Sequence, residues 1–457
     1  MVTKKQSSNS GAYVITVDMG YGHQRAAFPL RDFVVGLDGI KSEMGIINAN
    51  NYAGIPNVDR RRWDGGRRLY ERISRLKNLP LIGETIFSVM DYFQRIEPFY
   101  PKRDLSAPTV QLKTIYSMIR KGWGRDLIER LNKNPLPLVS AFFSPAYFAE
   151  EHGYKGEIYL ICCDTDVSRA WAPLVPAKSR IKYLVPNRRV KERLGLYGVK
   201  PEQIFVTGFP LPKENIGGRD LRVLKKSLGE RIAHLDEDGR YRKKYHETLK
   251  EFLGDNYCPI GFASKHPLTI TFAVGGAGAQ RELGAQIVTS LRHHIDKGLL
   301  RLNLIAGARN DVYLYYQRVI KELGLLKKQN GHVNILFADN KLEYFKKFNQ
   351  ILLATDILWT KPSELSFYAG LGLPIIMAPT VGSQEEFNRQ WLESTGAGVQ
   401  QENPRYTHEW LFDWLKSGWL AEAAMNGFLH APRNGAYHIE EVVLKSKRSE
   451  IEDIHLL

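Results

Sequence analysis

Two short apolar runs, Ile357-Leu-Trp359 (just after Asp356) and Leu373-Pro-Ile-Ile-Met-Ala378, bracket a Pro/Ser break (Thr360-Lys-Pro-Ser-Glu364) and a stretch of small residues ending at Gly372. Runs of strand length without polar alternation are buried on both faces, as in a parallel sheet covered by helices. Parallel neighbours need a crossover, and the small-residue stretch is long enough to supply a turn and a short helix. The segment therefore predicts strand, turn, helix, strand. Polar residues gather at both strand-to-helix turns, the second being Gly382-Ser-Gln-Glu-Glu-Phe-Asn388. Open α/β sheets bind their ligands at such carboxyl ends.

The same alternation fills the rest of the chain. Tyr13–Val17 reads as a strand, Gly20–His23 as a turn and Gln24–Val35 as a helix, with further strands at Met44–Asn48, Leu138–Phe143, Glu157–Cys162, Ile181–Val185 and Ile204–Thr207. A second series runs through Leu268–Val274, Leu302–Ala306, Val333–Phe337, Ile357–Trp359 and Pro374–Met377. At 457 residues the chain exceeds one ordinary core. The reading is α/β, with a Rossmann-like domain over 1–211, a charged, solvated helical segment over 212–265 and a second Rossmann-like domain over 266–435. A C-terminal helix over 436–457 crosses back onto the first domain.

The net charge of +15 argues for an anionic partner: nucleic acid, anionic headgroups or a phosphorylated substrate. No apolar run approaches a membrane span, and the start lacks the apolar core of a signal peptide. Three cysteines, two of them adjacent, give neither a disulfide framework nor metal spacing, so a reduced, cytoplasmic setting is expected.

Gly20-Tyr-Gly-His-Gln-Arg-Ala-Ala27 follows the first strand, and Gly275-Gly-Ala-Gly-Ala-Gln280 follows the first strand of the second series. Glycine turns opening a helix present backbone amides suited to a diphosphate, a pattern that NAD-binding folds share. Asp164-Thr-Asp-Val-Ser-Arg-Ala-Trp171 follows a third strand.

Taken together and in this order, these motifs resemble those of family 28-type glycosyltransferases, the group of MurG, the galactolipid synthases and the processive diacylglycerol glucosyltransferases. The resemblance implies a GT-B fold, two Rossmann-like domains facing across a cleft. It implies transfer of a sugar from a UDP-sugar donor to an acceptor hydroxyl with inversion, with no cofactor and no metal. By the same resemblance, His23 is the base and Asp166 a second catalytic residue, with Gly22 and Trp171 on the acceptor side. Donor contacts fall on Gly276, Ala277, Gly278, Gln280, Arg309, Gln384, Glu385 and Asn388. Phe367 stands where the family's ribose-binding Glu is spaced, and Glu364, one helical turn earlier, is carried as its replacement or as a helix-dipole residue. The family's acceptor-side histidine is absent from the Asp164–Trp171 element, where Arg169 lies nearby. Asp18, at the end of the first strand, could orient His23 or simply form the turn.

The Arg-rich, aromatic stretch beginning Asn57, with Arg60, Arg61, Arg62, Trp63, Arg67 and Arg68, suits docking on an anionic membrane surface. A packed aromatic core with a solvated Arg face is the competing reading. RNA is a third, although no nucleic-acid module is recognisable. The expectation is peripheral association with the inner face of the membrane, a lipid such as diacylglycerol as acceptor and no nucleic acid. The alternatives are a soluble acceptor, a sugar-nucleotide epimerase or a non-catalytic GT-B module.

Overall fold

The computed structural model describes residues 11–76, 95–259, 266–273, 278, 280–329, 331–380 and 382–445, the side chains of 67–76 and 383 excepted. Two six-stranded sheets organise it. The first contains β1 (Tyr13–Thr16), β2 (Ile47–Asn48), β3 (Leu138–Ser140), β4 (Ile158–Ile161), β5 (Lys182–Val185) and β6 (Ile204–Val206), in the order β2-β1-β3-β4-β5-β6. The second contains β7 (Leu268–Ala273), β8 (Leu300–Gly307), β9 (Val333–Phe337), β10 (Ile357–Thr360), β11 (Ile375–Met377) and β12 (Gly398–Gln400), in the order β12-β11-β10-β7-β8-β9. Neighbours pair in parallel throughout. Burial on both faces explains the unbroken apolar runs: all four residues of β1, β4 and β10 are buried.

Strand order reverses between β1 and β3 in the first sheet and between β7 and β10 in the second. A crevice opens at each reversal because the flanking helices depart to opposite faces. The Gly20–His23 turn follows β1, the Gly-rich sequence, of which only Gly278 and Gln280 are among the described residues, follows β7, and Lys361–Glu364 follows β10. The carboxyl ends of the two sheets face each other, as the contacts described below show. This is the GT-B architecture.

Local departures from the sequence reading have clear causes. The expected helix Gln24–Val35 is an α-helix only over Gly22–Ala27 and becomes a 3₁₀ turn over Phe28–Phe33. Pro29 lacks the N–H that an α-helix would use there. The helix Arg222–Leu235 is not a solvated spacer, since Leu224, Leu228, Arg231, Ile232 and Leu235 are buried. Arg231 donates to the carbonyls of Thr355, Leu371 and Gly372 at 2.8–2.9 Å, fastening this helix to the second sheet. The helix Gly435–Leu444 lies on the first sheet, with His438 Nδ1 3.0 Å from the Thr207 carbonyl and Glu440 paired to Lys213.

Trp63 requires a correction. It was expected at a membrane interface, but it is 6% exposed and packs edge-on against Trp123 and Phe148, with centroids at 4.8 and 6.0 Å. Asp59 and Trp63, one turn apart on the helix Asn57–Leu76, share its inward face, and Asp59 Oδ2 accepts from the Gly124 amide. Arg60 and Arg61 point to solvent, while Arg62 pairs with Asp59. The side chains of Arg67 and Arg68 lie outside the described residues. No helix among the described residues is long and apolar enough to cross a membrane.

Candidate active site

The cleft is built from the loops that leave the carboxyl ends of the two sheets. From the first sheet, the turn after β1 supplies Tyr21, Gly22, His23 and Arg25. The Tyr21 hydroxyl accepts from the Ala308 amide, beyond β8, at 2.9 Å. Arg25, 3% exposed, donates to Glu364 at 3.1 Å and to the Tyr344 hydroxyl at 2.9 Å, and its guanidinium lies 4.5 Å from the Phe348 ring centroid. An arginine can be buried this deeply because one carboxylate, one hydroxyl and several ring faces surround it. Asp18 pairs with Lys341, which leaves it occupied across the cleft; no described contact joins it to His23.

His23 lies between these layers. Its ring meets Phe142 edge-on at 4.7 Å and tilts toward Trp171 at 6.2 Å. Burial lowers its pKa from 6.5 to about 4, against smaller opposing effects from the Ala141 backbone and the Glu364 carboxylate. The imidazole is therefore neutral near pH 7. Its buried Nδ1 has no hydrogen-bond partner among the described residues. A neutral ring with an unused nitrogen in a cleft is chemically a proton acceptor. Gly22 lets the Glu364 carboxylate come close beside it, since a Cβ there would sit 3.2 Å from Glu364 Oε2 and push that side chain back slightly.

Asn388 joins the two halves most directly. It is fully buried, and its Oδ1 accepts from both the amide and the hydroxyl of Thr165, each at 2.9 Å. Its Nδ2 donates to Asp164 Oδ1 at 3.0 Å and to the Pro362 carbonyl at 3.4 Å, so the amide is spent within the protein and the expected donor contact of Asn388 gives way to a link between the two halves. Asp164 thus faces the cleft, and desolvation raises its pKa to about 6, with Glu364 and Glu385 adding to the effect and the Asn388 bond and Lys361 opposing it. Glu385 pairs with Lys361. Sequence reasoning passed over Asp164, Arg25 and Lys361. Asp164 stands in the same motif as Asp166 and is the first polar residue after the end of β4, which is the signal that could have singled it out.

Asp166 is differently employed. It is 1% exposed and receives Arg193 Nε and Nη2 at 2.8 Å each, Arg189 Nε at 3.2 Å and the Val167 amide at 2.9 Å. Four donors leave that carboxylate no capacity for a substrate. The arrangement is that of a loop anchor, and the catalytic reading of Asp166 gives way to it. Arg169 likewise spends its guanidinium on the carbonyls of Ser106, Ala172 and Pro173. Trp171 is 6% exposed and forms the wall of the His23 compartment with Phe142 and Phe143.

On the second sheet, Gly278 adopts φ +67°, and a Cβ there would meet Arg309 Nε at 3.2 Å and Val312 closer still. Arg309 pairs with Asp311 at 3.0 Å. Gln280 Nε2 donates to the Pro379 carbonyl at 2.9 Å, tying the turn after β7 to the loop after β11. Gln384 stands at the start of the helix Ser383–Ser394. Gly276 and Ala277 lie outside the described residues. Glu364 belongs to the cleft, but its carboxylate faces Arg25 and the Gly22 turn.

No family model matches the chain. A processive diacylglycerol β-glucosyltransferase of Bacillus cytotoxicus is 23% identical over 311 residues, 67% of this chain and 66% of the relative. The chain therefore spans just under two thirds of that relative's length. Among solved structures, MurG of Acinetobacter baumannii superposes with TM-score 0.46 at 13% identity, covering 95% of this chain and 99% of that one. A UDP-GlcNAc 2-epimerase from Neisseria meningitidis, bound to UDP-GlcNAc, gives 0.47 at 11% identity over 95% and 100%.

Proposed function

We propose that this chain, whose fold is of the GT-B glycosyltransferase type, moves a sugar from a UDP-sugar to an acceptor hydroxyl with inversion, and that the acceptor is a membrane lipid such as diacylglycerol. The observation that carries the reading is the neutral His23 imidazole, whose Nδ1 has no partner among the described residues, in the zone where Asn388 of the second half meets Asp164 and Thr165 of the first. In the proposed step the acceptor hydroxyl gives its proton to His23 as its oxygen attacks the anomeric carbon. The bond from that carbon to the diphosphate oxygen breaks, and UDP leaves with the electron pair. Phe142 and Trp171 exclude water from the base, which protects the donor from hydrolysis. The turn containing Gly278 would receive the diphosphate on backbone amides, and Gln384 and Glu385 would hold the sugar. The lipid half rests on the distant glucosyltransferase similarity and on the basic helix Asn57–Leu76. The test is incubation with labelled UDP-sugars and total membrane lipid. Label in the lipid phase is expected; label only in free sugar or in an interconverted UDP-sugar would overturn the reading.

If the donor assignment is right, calorimetric titration with UDP gives saturable binding that weakens in Gln384→Ala. A lost hydrogen bond to a charged or hydroxylated ligand is worth about 1–3 kcal/mol, roughly a 5- to 150-fold change. Equal affinity in both proteins would remove Gln384 from the site.

The membrane reading now rests on the exposed Arg60 and Arg61 rather than on Trp63. Each basic residue near an anionic surface contributes about 1 kcal/mol, so Arg60→Gln with Arg61→Gln should weaken sedimentation with anionic vesicles roughly 30-fold. Binding should also fade as salt rises, because the Debye length falls to about 10 Å at 0.1 M. Salt-insensitive binding, or none, would make this helix a packed scaffold and leave the donor half standing.

A further inference from the structure

At the opposite end of the second sheet from the cleft, three side chains converge that the reaction does not use. β7 and β10 are parallel neighbours, so their amino ends lie together. Asp356 directly precedes β10 and clamps β7: its amide donates to the Thr269 carbonyl and its Oδ2 accepts from the Thr269 amide, both at 2.8 Å. His266 precedes β7, and His234 arrives from the last turn of the helix Arg222–Leu235. One ligand atom from each of the three lies within 4.8 Å of the other two.

We infer that His234, His266 and Asp356 form a structural binding site for a divalent transition ion of the Zn²⁺ type, which pins the helix Arg222–Leu235 to the amino edge of the second sheet. Ligands about 2.0–2.1 Å from a tetrahedral ion are separated by about 3.4 Å. The observed separations bracket that value: His234 Nδ1 is 3.0 Å from Asp356 Oδ1, and His266 Nδ1 is 3.9 Å from Asp356 Oδ2. Two imidazoles and a carboxylate are a donor set that suits Zn²⁺.

The surroundings are also those of a metal site. His234 Nε2 lies 2.7 Å from the His266 carbonyl, so that nitrogen carries the proton and Nδ1 is the atom turned to Asp356. Asp356 is held in turn by the Thr269 amide, the outer-shell bond that orients a ligating carboxylate. The side chains of His234 and Asp356 are 6% and 2% exposed, whereas that of His266 is 21% exposed. The ion would therefore enter past His266, and a water would complete the tetrahedron. His266 Nδ1 also lies 2.9 Å from the Pro267 carbonyl, which fixes the orientation of the ring.

The test uses the full chain, stripped with chelator and titrated with Zn²⁺ against a chromophoric chelator. One tight equivalent is expected, with a melting temperature that rises with Zn²⁺, and Co²⁺ in its place should give the visible bands of a tetrahedral site. His266→Gln, at the exposed edge and easily tolerated, should weaken binding about 100-fold or more. His234→Gln should do the same. His293, His294 and His408 form a separate surface group around Ser290, so His408→Gln should change nothing. Absence of a tight equivalent, binding unchanged in His266→Gln, or binding lost in His408→Gln would each overturn the inference. None of these outcomes depends on glycosyl transfer.

Discussion

His23→Ala is expected to lower turnover roughly 10²–10⁴-fold while leaving UDP affinity nearly intact, because a general base acts on the transition state and not on the bound nucleotide. Unimpaired turnover would return His23 to a packing role. The pH dependence adds a sharper test. The free protein holds His23 near pKa 4, so the acid limb of kcat/KM should lie near pH 4 rather than near 6.5. A limb near pH 6 would instead report Asp164, whose carboxyl is raised to about that value. A bound diphosphate adds negative charge to the cleft and favours the imidazolium, so the acid limb of kcat should lie above that of kcat/KM.

The same shift has a consequence for stability, with a definite sign. A histidine whose folded pKa is depressed binds fewer protons in the native state than in the unfolded chain between pH 6.5 and 4. Stability is therefore full above pH 6.5 and lost as pH falls toward 4. His23→Ala should flatten that part of the stability profile. Asp164 acts in the opposite sense. Its raised pKa means that its contribution is present below about pH 4 and lost as pH rises through about 6.

The fold was legible because parallel sheets leave a strong trace, in apolar runs without alternation and, after β1, β5, β6, β7, β10 and β11, in a Gly or Pro within a few residues of the strand end. What the residues could not reveal were partnerships between elements far apart in the chain. Arg25 and Glu364, or Asn388 and Thr165, meet only because the carboxyl ends of the two sheets face each other. The Arg60–Trp63 stretch shows the limit in another way. Basic and aromatic residues on a helix read equally as a membrane face or as a core with a solvated rim, and only the neighbours Trp123 and Phe148 decide for Trp63. The Asp164–Trp171 motif was recognisable as a site element, but which of its two carboxylates faces the cleft depends on where Arg193 lies. That residue is on the helix Arg188–Leu196, a strand further on.

Asp166 accordingly gives the second large effect, on stability. Asp166→Ala would leave Arg193, which is fully buried, without its counter-charge. Removing one member of a buried pair costs about 3–5 kcal/mol, since the remaining charge keeps its desolvation penalty and loses its attraction. For a domain of this size that corresponds to a fall in melting temperature of roughly 6–20 °C. Arg193 also lies over Phe99, with its guanidinium carbon 5.0 Å from the ring centroid, so the loop and that aromatic cover should loosen together. Turnover per folded molecule should change far less than in His23→Ala. The double replacement Asp166→Leu with Arg193→Met removes both charges and should recover much of the lost stability, because an apolar pair carries no desolvation penalty. A stable Asp166→Ala protein with turnover reduced as far as in His23→Ala would restore Asp166 to the chemistry and move the anchoring role elsewhere. The expected order, His23 first for rate and Asp166 first for stability, separates the group that handles a proton from the group that holds the loop around it.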